Sequence, residues 1–134
     1  MELTLQNEKL ANLYLVLYHI FLLFFRVSLW VAAPFHAKAR SWVMGRVGIF
    51  KRLRAQISPH DRVIWMHVAS LGEFEQGRPL IERIRKDYPQ HKILLTFFSP
   101  SGYEIRKNYS GADWVFYLPL DGPKTAKRFL DITH

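Results

Sequence analysis

Arg62 to Phe74 reads RVIWMHVASLGEF, and this stretch decides the fold. Its first seven residues, Arg62 to Val68, are rich in branched and aromatic side chains and predict a strand, with His67 as a core histidine. The small residues Ala69-Ser70-Leu71-Gly72 then make a turn. From Glu73 to Tyr88 the period changes: Phe74, Leu80, Ile81, Ile84 and Tyr88 fall at helical spacing, and Pro89 supplies the stop. Working outward, the strand-then-helix step recurs. Lys92 to Phe98 (KILLTFF) predicts a second strand, followed by a helix to about Tyr109 with Ser99 as N-cap and Pro100 at the first helical position. Trp114 to Leu118 predicts a third strand, Pro119 to Gly122 a loop, and Pro123 to Leu130 a third helix. Three such steps with apolar strands specify an α/β fold, a parallel sheet with helices on both faces. Ser58-Pro59-His60 marks its start, so the α/β unit is expected over 59–134. Sheets of this kind bind ligands beyond the carboxyl ends of their strands, which singles out the loops 69–74, 98–103 and 118–122.

Upstream the chain is different. Leu10 to Phe25 (LANLYLVLYHIFLLFF) carries no formal charge, and after Arg26 the apolar character resumes as VSLWVAAPF. Leu10 to Ala33 is long enough to cross a bilayer if Arg26 snorkels or faces protein. Residues 1–35 are therefore expected to be a membrane-anchor helix preceding the α/β fold. Arg26, Lys38, Arg40, Arg46, Lys51, Arg52 and Arg54 come next with no acid between 26 and 56, interleaved with Trp30, Phe35, Trp42, Ile49, Phe50 and Leu53. That pattern predicts a basic amphipathic segment over 36–58 lying among lipid headgroups, with the remainder of the chain on the cytoplasmic side. A buried helical hairpin with a solvated basic face is the competing reading of the same residues.

The formal net charge is +8. It is concentrated beside the apolar segment, where residues 1–60 hold eight Lys/Arg against two acids, while 61–134 hold eleven against nine. This favours an anionic membrane surface over nucleic acid, for which no recognition motif is present. Cysteine is absent and the six histidines lack metal-ligand spacing, so no metal site is expected. The turn after the first strand lacks G-x-G-x-x-G, which argues against a dinucleotide-dependent dehydrogenase.

Four motifs in register carry a resemblance: S-L-G-E at 70–73, a Y-P at 88–89, T-x-x-S-P-S-G-x-E at 96–104 and Y-L-P-L-D at 117–121. Their order and spacing resemble the N-terminal, acceptor-side half of the 3-deoxy-D-manno-octulosonic acid (Kdo) transferases. The resemblance implies the N-terminal Rossmann-like domain of a two-domain GT-B glycosyltransferase, with the donor-binding domain absent from these residues. It implies transfer of Kdo from CMP-Kdo to the lipid A precursor in lipopolysaccharide synthesis, at the inner membrane with the globular part facing the cytoplasm. No cofactor is implied beyond the donor substrate. A membrane-anchored fragment that binds acceptor without transferring anything is the alternative.

By the same resemblance Glu73 is the general base, since the acceptor hydroxyl must lose a proton as it attacks the anomeric carbon. Ser70, Gly72, Ser99, Ser101, Gly102 and Glu104 are the implied substrate-binding residues, with Gly72 permitting close approach of substrate or a positive φ. Each also has a plain structural reading: Glu73 complements a helix dipole, Ser70 and Gly72 shape a tight turn, Ser99 to Gly102 cap a helix, and Glu104 pairs with Arg106, Lys107 or Arg78. Asp121 reads as a turn or capping residue. The chain departs from the family pattern in having Ser for Thr at 99 and 101, Phe97-Phe98, Leu71, and Phe74-Glu75-Gln76-Gly77.

Overall fold

A computed structural model of the protein describes the backbone of residues 2–133, and the side chains of Asn7 and of residues 9–133. The chain divides into two compact units, Met1–Val43 and Met44–His134.

The first unit is dominated by α1, Glu2–Ala32. Within it Lys9–Ala32 is long and apolar enough to cross a membrane, and none of that span is buried by protein. Its aromatic side chains are largely bare: Tyr14, Phe21 and Phe24 are each more than 60% exposed. The polar residues are folded back on the helix. His19 Nδ1 lies 2.6 Å from the Leu15 carbonyl, and Ser28 Oγ donates to the Phe24 carbonyl at 2.8 Å. Such local bonds conceal polar atoms that would be costly in hydrocarbon. Beyond Ala32, Arg40 donates to the carbonyls of Ala33 (3.3 Å) and Pro34 (3.0 Å), oxygens that the ended helix leaves unpaired. Arg40 belongs to α2, Ala37–Met44.

The second unit is the α/β fold. Strands β1 (Val63–Val68), β2 (Lys92–Phe97) and β3 (Trp114–Tyr117) form one sheet in the order β1-β2-β3. Both pairings are parallel, with Trp65 opposite Leu94 and Phe97 opposite Tyr117. Side chains alternate across β2 and reach two cores. Ile93, Leu95 and Phe97 join Phe74 and Ile81 of α4 (Leu71–Asp87), with Tyr103 of α5 (Pro100–Arg106) against them. Leu94 joins Ile49 and Leu53 of α3 (Ile49–Gln56), Ile57, and Phe129 and Ile132 of α6 (Pro123–Thr133). Helices therefore cover both faces, which is consistent with the N-terminal domain of a GT-B glycosyltransferase.

The structure corrects two expectations. The α/β unit was expected from residue 59, yet Ile49, Leu53 and Ile57, at i, i+4 and i+8, are all at most 4% exposed in its core. The second half of the basic segment is thus a helical layer of the domain. Gly48, with φ 66°, turns the chain into α3; a left-handed residue there suits glycine. His67 was expected in the core. Among the described residues it is exposed, on a strand that pairs only with β2.

At the amino ends of the strands Asp113 is the organising group. Its carboxylate accepts from the Ile93 amide (2.7 Å), from Arg85 (2.6 Å) and from Lys92 (3.3 Å). Burial pushes this carboxyl upward, but the bonds from Ile93, Arg85 and Lys92 outweigh it and hold it below the usual carboxylate range.

Candidate functional site

The carboxyl ends of the strands bring the three expected loops together. Phe98 N donates to Val68 O (3.2 Å), Ser99 N to Ala69 O (2.9 Å) and Leu118 N to Phe97 O (2.8 Å), so parallel pairing continues just past each strand. Helices α4 and α5 both start here, each under a serine N-cap: Ser70 Oγ accepts from the Glu73 amide at 3.3 Å, and Ser99 Oγ from the Gly102 amide at 3.2 Å.

The Glu73 side chain reaches back past the cap: its Oε2 accepts the amide of Ala69, the residue before the N-cap, at 2.7 Å. The side chain is exposed, and Oε1 carries no protein hydrogen bond among the described residues. Its carboxylate is thus bent back toward its own turn on one oxygen, and it makes no ion pair among the described residues.

The two glycines differ. Gly72 has an ordinary negative φ, and a Cβ there would meet only Ser70 Oγ at 3.9 Å, an everyday van der Waals contact. The positive φ expected as one use of this glycine is not found, and no protein atom requires a glycine. Gly102 is buried, and a Cβ would come within 2.6 Å of the Phe97 ring and 3.2 Å of the Leu71 nitrogen. Packing between the first turns of α4 and α5 accounts for that glycine, and its amide is already bonded to Ser99. Ser101 is exposed, with its hydroxyl 3.3 Å from that of Ser99. Glu104 is exposed and pairs with Lys107 at 2.8 Å, one of the three partners expected for it. Asp121 is a turn residue whose Oδ1 accepts the Gly122 amide at 2.8 Å.

Two residues that sequence reasoning did not place here belong to this end of the sheet. His67 Nδ1 lies 3.0 Å from Thr96 Oγ1 and 3.1 Å from Thr96 O. Desolvation, helped by the field of Arg46, lowers its pKa below the ordinary imidazole value despite the hydrogen bond to Thr96 and the field of Glu73. Arg46 was counted among headgroup-facing basic residues, yet it is only 9% exposed. It donates from Nε to Leu118 O and from Nη2 to Phe98 O, both at 2.9 Å. No local pattern marks it, because these partners lie 72 and 52 residues away.

An apolar cleft of about 210 Å³ opens beside the β3–α6 loop, lined by Trp65, Leu118, Pro119, Leu120, Phe129 and Leu130, with Asp121 and Thr125 among its polar residues. Its walls include none of Glu73, Ser70, Gly72, Ser99, Ser101, Gly102 or Glu104. The candidate site is therefore an open surface at the α4 and α5 starts rather than this cleft.

The model of the family described as 3-deoxy-D-manno-octulosonic-acid transferase (kdotransferase) matches residues 43–134. The chain belongs to this family. The match begins upstream of α3, in agreement with a compact unit that starts at Met44. The 3-deoxy-D-manno-octulosonic acid transferase of Aquifex aeolicus is 39% identical over 71 residues, covering 52% of this chain and 19% of that protein. The transferase of the same name from Haemophilus influenzae is 35% identical over 74 residues, 54% of this chain and 17% of the relative. That of Chlamydia muridarum is 35% identical over 91 residues, 65% and 20%. The chain thus spans about a fifth of the length of the curated relatives it matches. No solved structure matches it.

Proposed function

We propose that this chain supplies the acceptor side of a Kdo transferase that moves Kdo from CMP-Kdo to the lipid A precursor, with Glu73 as general base. The observation that carries the reading is an exposed carboxylate at the carboxyl end of β1, beside a glycine the fold does not need, in a chain of this family. Glu73 accepts the proton of an acceptor hydroxyl as that oxygen attacks the anomeric carbon of Kdo, and the bond to CMP breaks. An inverting displacement of this kind needs no enzyme nucleophile. The missing side chain at Gly72 leaves room for the acceptor to approach the carboxylate, and the exposed Ser101 hydroxyl offers it a hydrogen bond. Ser70, Ser99 and Gly102 hold the turns in which these groups stand, and Glu104 contributes through its exposed pair with Lys107.

The apolar span of α1 anchors the protein in the inner membrane, where a lipid-linked acceptor resides. Lys38, Arg40, Lys51, Arg52 and Arg54, all exposed and all after the span, favour the cytoplasmic side for the globular unit. Deleting residues 1–35 should release the chain from vesicles in a flotation assay; retention would remove α1 as the anchor.

The chemistry is tested by replacing the matching segment of the Haemophilus influenzae relative with residues 43–134 and assaying transfer from CMP-Kdo to the lipid A precursor. Transfer is expected. Glu73→Gln should lower it roughly 100-fold, the usual consequence of losing a general base, with acceptor binding nearly intact. Unchanged turnover in Glu73→Gln removes the carboxylate from the mechanism. Acceptor binding without transfer by the unsubstituted graft favours a binding-only role.

A further inference from the structure

The geometry points to Arg46 as a positioning residue that fixes the loop after β2 relative to the loop after β3, and thereby sets the shape of the acceptor surface; the functional part of this rests on the acceptor-side reading above.

Parallel pairing between β2 and β3 runs to the bond from Leu118 N to Phe97 O. The two chains then part, one into α5 and the other toward α6, and the carbonyls of Phe98 and Leu118 are left beyond the ladder. A backbone carbonyl that leaves the ladder needs another donor, from protein or water. Arg46 supplies both, through Nε to Leu118 and Nη2 to Phe98, each at 2.9 Å. Its guanidinium carbon also lies 4.8 Å from the centre of the Tyr117 ring and 5.3 Å from that of Phe98, the last residues before each loop departs. A planar fork with donors at fixed separation holds two acceptors at fixed separation. Cation–π attraction to the two rings adds to the hold on the guanidinium between the two loops.

The fork ties together the loops of the candidate site. Phe98 leads directly into Ser99, Ser101 and Gly102, and Ser99 is bonded back to Ala69, the residue that donates to Glu73. A shift of the β2 loop is therefore transmitted to the turn that holds the proposed base. Leu118 leads into Pro119 to Asp121. Arg46 itself is set in place by the short turn between α2 and α3, where Ile49 N donates to Arg46 O and Arg52 donates to the Gly45 carbonyl. Burial draws the guanidinium down to about 10, which leaves it a cation at neutral pH.

The test uses the full chain in detergent micelles, with Arg46→Lys and Arg46→Gln. Lysine keeps the charge but, as a point donor, cannot span both carbonyls in the same plane. Hydrogen exchange is followed in peptides covering 98–103 and 118–126, with 63–68 and 92–97 as internal controls. Both variants should exchange at least about tenfold faster in the two loops while the strands stay at the wild-type rate. Affinity for the purified lipid A precursor should fall by about tenfold or more in Arg46→Lys. Wild-type exchange in the loops overturns the inference, as does equal loosening of loops and strands, which would make Arg46 a general stabiliser. Loosened loops with unchanged acceptor affinity overturn the link to the acceptor surface. If the wild-type chain binds no acceptor, the acceptor-side reading fails, and the exchange data still decide the role of Arg46 in joining the loops.

Discussion

The two ends of the sheet are closed in opposite ways. Where the strands begin, Asp113 gathers the Ile93 amide, Arg85 and Lys92 onto one carboxylate. Where they finish, Arg46 spreads one guanidinium over the carbonyls of Phe98 and Leu118. The chemistry follows from strand polarity: parallel strands leave amides at one end and carbonyls at the other, so an anion suits the first and a cation the second. The ends also differ in their surroundings. The Asp113 end is occupied by ion pairs. The Arg46 end carries an exposed carboxylate, an exposed hydroxyl and a glycine without a structural requirement. Stability is concentrated at the first end and chemistry is expected at the second.

That contrast is open to attack by substitution. Among the largest effects on folding is that expected of Asp113→Ala, which strands the Ile93 amide and the Arg85 guanidinium. About 2 kcal/mol should be lost, roughly 10 °C in Tm by thermal denaturation, with affinity for acceptor unchanged. A comparable loss of acceptor affinity would end the division of labour. The same residue gives a pH dependence. Its folded pKa lies below the ordinary value of 3.8, so its contribution is present above that value and is lost as the pH falls through the folded one. In Asp113→Asn the acid limb of the unfolding curve below about pH 4 should flatten; an unaltered limb would show that other carboxylates dominate there.

Gly102→Ala comes next. The added methyl meets the Phe97 ring and the Leu71 nitrogen, and overpacking of this kind costs about 1–3 kcal/mol. Gly72→Ala should be the mildest for the fold, at most about 0.5 kcal/mol in either direction, because its Cβ meets only Ser70 Oγ at an ordinary contact distance in the first turn of a helix. Its effect belongs to binding: acceptor affinity should fall while Tm holds. A stable Gly102→Ala, or a Gly72→Ala that unfolds, would reverse the assignment of one glycine to packing and the other to approach.

Much of the fold was legible in residues 62–133. The strand and helix order follows from local spacing, and the Ser99 cap was readable because a cap involves residues three positions apart, whereas Ser70 was read as a turn residue and the structure shows it as a cap. Boundaries moved by a few residues: the helix expected to reach Tyr109 ends at Arg106, and the one expected to stop at Leu130 continues to Thr133. The misread segment is instructive. Ile49, Leu53 and Ile57 give α3 an apolar face among basic residues, and periodicity states only that such a face must leave water. Lipid and protein satisfy that demand equally, and only the folded chain shows that the sheet provides the cover. His67 was misjudged for a related reason, since an apolar strand looks the same in sequence however much of each face the helices cover.

By itself the sequence determined the order of strands and helices, the apolar span of α1, the Ser99 cap and the family motifs, because each depends on residues close together in the chain. Only the tertiary structure decided that Gly102 is needed for packing while Gly72 is not, that Arg46 is buried, and which carbonyls it holds. Those facts depend on groups brought together across tens of residues by the sheet, and no short-range pattern encodes such a meeting.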